Sequence, residues 1–506
     1  MADPNTFDIV FCGGELIDGS GAARVQADLA ILGERIAAIG KLGAVRAKQR
    51  IDISGKVLCP GFIDVHTHDD RACIDRPQML PKISQGVTTV IVGNCGLSLA
   101  PLRPSIPLPE PLNLLGKAED FEFIDFPSYV NAVNRANPAV NVAALVGHST
   151  LRVATVANLA CKASEREVAS MVELLEAAMD AGALGLSSGV YYRPAQAADN
   201  DELIPLAKAA ATKGGIYTSH IRDEYDQIID AMNEAFATSA AARLPLIISH
   251  HKCAGVQNWE RTEETLALID KVSQRQSVHM DCYPYAAGSS VLDPKLVDGK
   301  IDILVTWSQP HPAMGGCYLH DIAAQWQCTQ REAAERLVPG GGCYFQMHEM
   351  DVRRVLKHPA CMVGSDGLPN DPHPHPRLWG TFPRVLGHYA RELQLFSLEQ
   401  AVHKMTGLSA RQFGLVDRGE LQPGPQADTD EKVLEHIRAI GESVYHPVGT
   451  CKMGKDDMAV VDDRLRVRGI ENLRIADGSI MPTILSGNTN ATCVLIGERC
   501  ADFILN

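Results

Sequence analysis

The stretch PGFIDVHTHDD, Pro60 to Asp70, decides how this chain folds. Its apolar run closes on His66 and His68, one residue apart, and a strand repeats every two residues, so both rings point to the same face. On an inward face of a closed sheet the pair can grip one ion. That reading requires other strands to end at the same place. Eight apolar runs of strand length can be counted: VLCPGFIDVHTH, GVTTVIVGNC, NVAALVGHS, ALGLSSGV, GGIYTSH, LPLIISHHK, SVHMDCYPY and CMVGSD. They alternate with helical stretches such as SEREVASMVELLEAAMDAG, Ser164 to Gly182, which opens on a capping serine and stops at glycine. Alternation of this kind signals a parallel sheet covered by helices, and eight strands close a (β/α)8 barrel. The expected fold class is therefore α/β, a TIM barrel. Residues 7 to 55 read instead as short strands broken by Gly and Asp, a small β element.

Active sites of such barrels lie at the C-terminal ends of the strands. Several runs end on a metal-ligand type there: Cys95 ends VIVGNCG, His220 ends GIYTSH, His250 ends LIISH and Asp366 ends CMVGSDG. Thiolate, imidazole and carboxylate are donors that a borderline-soft ion such as Zn²⁺ accepts. In SHHKC the period of two sets His251 opposite to His250 and puts Lys252 on the face of His250. His251 is thus expected to be structural and Lys252 a cationic group at the site.

The chain is 506 residues long, enough for one large domain and one or two small ones. Its formal net charge of −14 argues against a nucleic-acid surface and against anionic membranes. The 14 Cys are irregularly spaced and form no disulfide framework. No signal-like N-terminus or apolar run of spanning length is seen, so a cytoplasmic enzyme acting on a small molecule is expected, with no nucleic-acid or membrane partner.

The combination of PGFIDVHTHDD, KISQGVTTVIVGNCG, TSHIRDE, SHHKCAG, YPYAAGS and GSDGLPNDPHPHPRLWGTFPRVLGHY resembles the N-acyl-D-amino-acid deacylases of the amidohydrolase superfamily, from about Phe7 to about Ala427. The Asn-Cys-Gly motif is specific to this subgroup. The resemblance implies that Cys95, His220 and His250 hold a tightly bound zinc. It further implies that His66, His68 and Asp366 form a second, weaker site, and that Lys252, Tyr283 and Arg377 hold the free carboxylate of the substrate. The expected reaction is hydrolysis of the amide of an N-acyl-D-amino acid by metal-activated hydroxide, with Asp366 as general base and then acid. His66 or His68 could help hold the oxyanion. D rather than L chirality enters only through the resemblance. Tyr344 and Met347 are candidates to line an apolar side-chain pocket, which favours a hydrophobic D side chain over D-glutamate or D-aspartate.

At LQPGPQADTDEKVLEHIRAI, Leu421 to Ile440, the likeness changes. Thr429 starts an expected helix where β-branched strands would complete the small β domain. From about Thr429 to Asn506 the motifs YHPVGTCKMG, VVDDRLRVRGIENLRIADGSIMPT and SGNTNATCVLIGERCADFI resemble the C-terminal end of the glucose-methanol-choline oxidoreductases. That likeness implies His446 and Asn490 as counterparts of alcohol-oxidising residues. The N-terminal stretch FDIVFCGGELIDGSGAARV lacks a G-x-G-x-x-G, Arg24 standing at the sixth position, so no flavin cradle is expected. The expected organisation is residues 1–56 as part of a small β domain, 57–412 as the barrel, 413–428 as a truncated return and 429–506 as the tail. A flavin-dependent oxidoreductase fragment and a non-catalytic fusion are the alternative readings.

Overall fold

A computed structural model describes residues 6–104, 107–423, 450–470, 473–483 and 490–505. The first strands are β1 (Thr6–Cys12), β2 (Glu15–Leu16), β3 (Val25–Gln26), β4 (Asp28–Leu32), β5 (Arg35–Gly40), β6 (Arg46–Asp52) and β7 (Val57–Leu58). They form two small sheets, ordered β5-β4-β1-β6 and β3-β2-β7. Val10 and Ala30 pair across β1 and β4 and are buried on one face, and the next residue of β4, Leu29, is buried on the other.

The barrel strands follow: β8 (Phe62–Asp64), β9 (Val87–Val92), β10 (Asn141–Ala144), β11 (Val146–Gly147), β12 (Gly185–Gly189), β13 (Ile216–His220), β14 (Leu246–Ile248) and β15 (Val278–Cys282). After β15 the chain inserts a three-stranded antiparallel sheet, β16 (Gly288–Val291), β17 (Ile303–Ser308) and β18 (Gly340–Tyr344), ordered β16-β18-β17, before β19 (Cys361–Val363). Pairing among the barrel strands is parallel throughout: β8 with β9, β9 with β10, then β11 through β15 in succession, and β15 with β19. The ladder continues past the short strands. Leu184 N donates to Ala144 O, Thr67 bridges Gly367, and Asp366 N donates to His66 O at 2.8 Å, which joins the first run to the last.

One buried cluster gathers Ile63, Ile91, Ile216, Ile247 and Met362 from strands spread around this order, with Leu145 from the join between β10 and β11. Burial of each such side chain contributes about 1.5–3 kcal/mol. The helix Glu165–Asp180 that separates two of the strands carries a capping box, with Ser164 accepting from Glu167 N and Glu167 reaching back to Ser164 N. It buries Met171, Leu175, Ala178 and Met179, a helical spacing that faces the strands.

The chain divides into two compact units, 1–422 and 423–506. In the second, isolated bridges join Met453 to Val461 and Val461 to Val467, and a helix spans Asn490–Leu505. Val461, Leu465, Ile480 and Cys500 form its core. The expected helix at Thr429 and the candidate His446 lie outside the described residues. No helix among the described residues is long and apolar enough to cross a membrane.

Candidate metal centre and active site

Three of the strand-end residues share an unusual backbone: Cys95 has φ +56°, His250 +36° and Asp366 +49°. L residues avoid this left-handed region, at a cost of about 1–3 kcal/mol each, and strain of that kind persists where the surrounding structure imposes it. At the end of a strand it swings the side chain out of the alternation and over the mouth of the barrel. The sharp turn at Cys95 leaves little room beside it. A Cβ added at Gly189 would stand 2.1 Å from Cys95 O.

All six expected ligands converge there and are buried. Cys95 Sγ lies 3.1 Å from His66 Nε2 and 3.3 Å from His250 Nε2, and the His220 ring stands 4.5 Å from that of His250. Asp366 Oδ1 lies 3.3 Å from His68 Nε2 and 3.7 Å from His66 Nε2. Three donor groupings follow among the described residues, His66–Cys95–His250, His66–His68–Asp366 and His220–Glu224–His250, each with its ligand atoms within 4.8 Å of one another. Two ligands held tetrahedrally at about 2.0–2.3 Å from one zinc are themselves roughly 3.3–3.6 Å apart, so the Cys95 contacts are close to the spacing of a zinc site. Burial pushes the Cys95 thiol up, but His66 and His250, with the hydrogen bonds of His220 and His250, outweigh it and hold it well below its ordinary value. A thiolate is the ligating form.

A second layer of carboxylates was not legible as such in the sequence. Asp281 Oδ2 lies 3.2 Å from His66 Nδ1, while its Oδ1 accepts from His250 N at 3.0 Å. Glu224 Oε1 lies 2.9 Å from His250 Nδ1. In both rings the outer nitrogen meets a carboxylate and Nε2 faces Cys95. This is the arrangement that fixes a metal-binding tautomer. Asp281 stands at the end of an apolar run and Glu224 four residues after His220, which is the signal that could have found them. Beneath the site, fully buried Lys82 pairs with Asp64 at 2.7 Å and Asp69 at 3.0 Å and reaches Ser365 Oγ at 3.0 Å, tying the His66–His68 run to the Asp366 run.

The positively charged residues stand beside the donors. Arg377, 1 % exposed despite its Pro-rich surroundings, pairs through one guanidinium nitrogen with Asp366 Oδ2 at 2.9 Å and lies 4.5 Å from the Tyr283 ring centre. Its buried Nε has no hydrogen-bond partner. Lys252 Nζ reaches Glu224 Oε1 at 2.6 Å and His250 Nδ1 at 2.8 Å. His251 points away, its Nε2 2.8 Å from Thr265 Oγ1. A cleft of about 90 Å³, open to solvent at its mouth, is lined by His68, His220, His250, Lys252, Tyr283, Asp366 and Arg377, with Tyr344 on the inserted sheet. Met347 lines a separate small cavity behind Lys252 and Tyr283, its sulfur 3.9 Å from the Tyr283 hydroxyl.

The amidohydrolase family profile matches residues 49–306 and 322–429. The D-aminoacylase of Alcaligenes xylosoxydans xylosoxydans is 48% identical over 459 residues, 88% of this chain and 94% of that protein. An N-acyl-D-glutamate deacylase structure from Bordetella bronchiseptica, complexed with zinc and a phosphonate mimic of the tetrahedral intermediate, superposes with a TM-score of 0.80. It is 48% identical and covers 83% of this chain and 89% of its own. A D-aminoacylase structure at the same identity and TM-score, covering 83% and 88%, is described as having a binuclear metal centre with one-metal activation and second-metal attenuation. A different profile, GMC oxidoreductase, matches residues 385–497, beginning before the tail. An oxygen-dependent choline dehydrogenase of Cronobacter sakazakii is 43% identical over 155 residues, which is 28% of this chain and 26% of that protein.

Proposed function

This chain belongs to the amidohydrolase family, and from that premise we infer that it hydrolyses the amide bond of N-acyl-D-amino acids to a carboxylate and a free D-amino acid, with zinc as its metal. The observation that carries the reading is the buried convergence of Cys95, His220 and His250 beside Asp366 and a partnerless Arg377 Nε. The donor set fits zinc: a stabilised thiolate, imidazoles, and outer carboxylates on two of the rings. Cys95, His220 and His250 would hold the tight ion, and His66, His68 and Asp366 a weaker second one. Zinc bound there supplies a Lewis acid for the acyl carbonyl and for the attacking water.

The remaining work falls to the side chains. Asp366, ionised beside Arg377 and His68, takes the proton of the attacking water and delivers it to the amide nitrogen, which leaves only when protonated. One carboxylate thus serves both halves of the hydrolysis. The substrate carboxylate is held by Arg377 Nε, by the Tyr283 hydroxyl and by Lys252, whose ammonium has three donors and gives one to Glu224. His66 or His68, where no second ion occupies them, donates to the developing oxyanion. We place the small β domain at residues 1–56, the catalytic barrel at 57–412, a shortened return at 413–428 and an oxidoreductase-like tail at 429–506. Because all 14 cysteines are free, a reducing compartment, the cytoplasm, is the proposed location.

The test is amine release from N-acetyl-D-methionine by the full chain, with N-acetyl-L-methionine as control. Hydrolysis of the D substrate that depends on zinc supports the reading. Zinc-loaded, folded protein that releases no amine from it rejects the reading.

A further inference from the structure

Three carboxylates line the catalytic cleft, and they are not equivalent. Glu224 is paired with Lys252, and Asp366 with Arg377. Asp293, at the exit of β16, has no ion pair to any cation among the described residues. Its place is fixed by the inserted sheet: Asp293 N donates to the Tyr344 hydroxyl at 2.9 Å, and that hydroxyl donates to Val291 O at 3.0 Å. Its own carboxylate is oriented by Lys295 N, which donates to Oδ1 at 2.9 Å. Across the cleft from it stands Tyr191, whose ring stacks on His220 at 5.4 Å. Around it the wall is apolar or aromatic, Val291, Leu296 and Tyr344.

Lys252 and Arg377 are the Lys and Arg side chains that line this cleft, Lys295 standing exposed outside it, and on the deacylase reading the substrate's main carboxylate takes both. A second carboxylate on the substrate side chain would then meet no third Lys or Arg in the lining and would face Asp293 instead. We propose that Asp293 is a specificity-determining residue which turns this site away from acidic D-amino acids, towards apolar and cationic side chains. The proposal rests on the deacylase reading. It answers what that reading leaves open, since relatives named for D-aminoacylase and for N-acyl-D-glutamate deacylase activity are equally similar to this chain at 48%.

The test compares kcat/KM of the full, zinc-loaded chain on N-acetyl-D-methionine, N-acetyl-D-glutamate and N-acetyl-D-lysine, for the natural sequence and for Asp293→Asn and Asp293→Lys. Asparagine keeps the acceptor for Lys295 N, and ratios taken within one preparation cancel any loss of folded protein. One charge a few ångströms away in a partly wet cleft is expected to move the glutamate-to-methionine ratio up about tenfold in Asp293→Asn and further in Asp293→Lys. The lysine-to-methionine ratio should fall in parallel, and added salt should shrink both effects. Ratios unchanged in both variants, or a natural enzyme that handles D-glutamate as well as D-methionine, would overturn the proposal. Failure to hydrolyse any of the three would instead strike the deacylase reading itself.

Discussion

At the scale of single residues, the site separates ligands from the groups that aim them, and substitution should expose that division. Asp366→Asn keeps the shape and removes the base, so kcat is expected to fall about 10²- to 10⁴-fold while zinc stays bound, as metal analysis would show. Glu224→Gln leaves every ligand in place but loosens the proton on His250 Nδ1. Zinc affinity should drop about 10- to 100-fold, read by competition with a chromogenic chelator, and unchanged affinity would count against its orienting role. The candidate ligands could be named because a strand-end His, Cys or Asp after an apolar run stands out. The orienting acids could not, because standing at the end of an apolar run or four residues after His220 does not tell which carboxylate folds back behind which ring. Arg377 was legible only through family likeness. Its Pro-rich neighbours suggest a surface loop, yet it opens the helix Arg377–Arg384 and is swallowed by the cleft.

At the scale of elements, the strands were readable from their apolar runs, and the capped helix from Ser164 onward from its cap and period. What the sequence hides is how helices are locked to one another. Glu202, on the helix Asn200–Thr212, accepts from Arg152 and lies 2.7 Å from His148 Nε2, both on the helix His148–Thr155. Burial alone would raise its carboxyl, but His148 and Arg152 outweigh burial and bring it down to about 2. Its stabilising share is therefore full above the unfolded carboxylate value of about 4.3 and is lost as pH falls towards about 2. Glu202→Gln should destabilise by about 3–5 kcal/mol at neutral pH, because Arg152 stays buried and uncompensated. Chemical denaturation at pH 7 and pH 3 checks this: the gap between the two proteins should narrow in acid, and a gap that widens would contradict the assignment.

At the scale of the whole molecule, the sequence showed two likenesses meeting near Leu421, and the structure divides the chain at Gln422. The two family profiles overlap across residues 385–429. The helix expected from Thr429 and the candidate His446 fall outside the described residues, and Asn490 opens the last helix. Every residue assigned to the site lies in the first unit. A chain ending at Gln422 is expected to retain zinc and hydrolysis, and purified full chain is expected to carry no flavin, which its absorbance spectrum would report. If zinc at the Cys95 centre drives hydrolysis of N-acyl-D-amino acids, the rate must follow the metal. The most direct measurement is the rate of amine release from N-acetyl-D-methionine by the full chain as its zinc is stripped by a chelator and then titrated back. The rate should vanish with the metal and return with a single equivalent. A rate indifferent to zinc, or zinc-loaded chain without a rate, would contradict the claim.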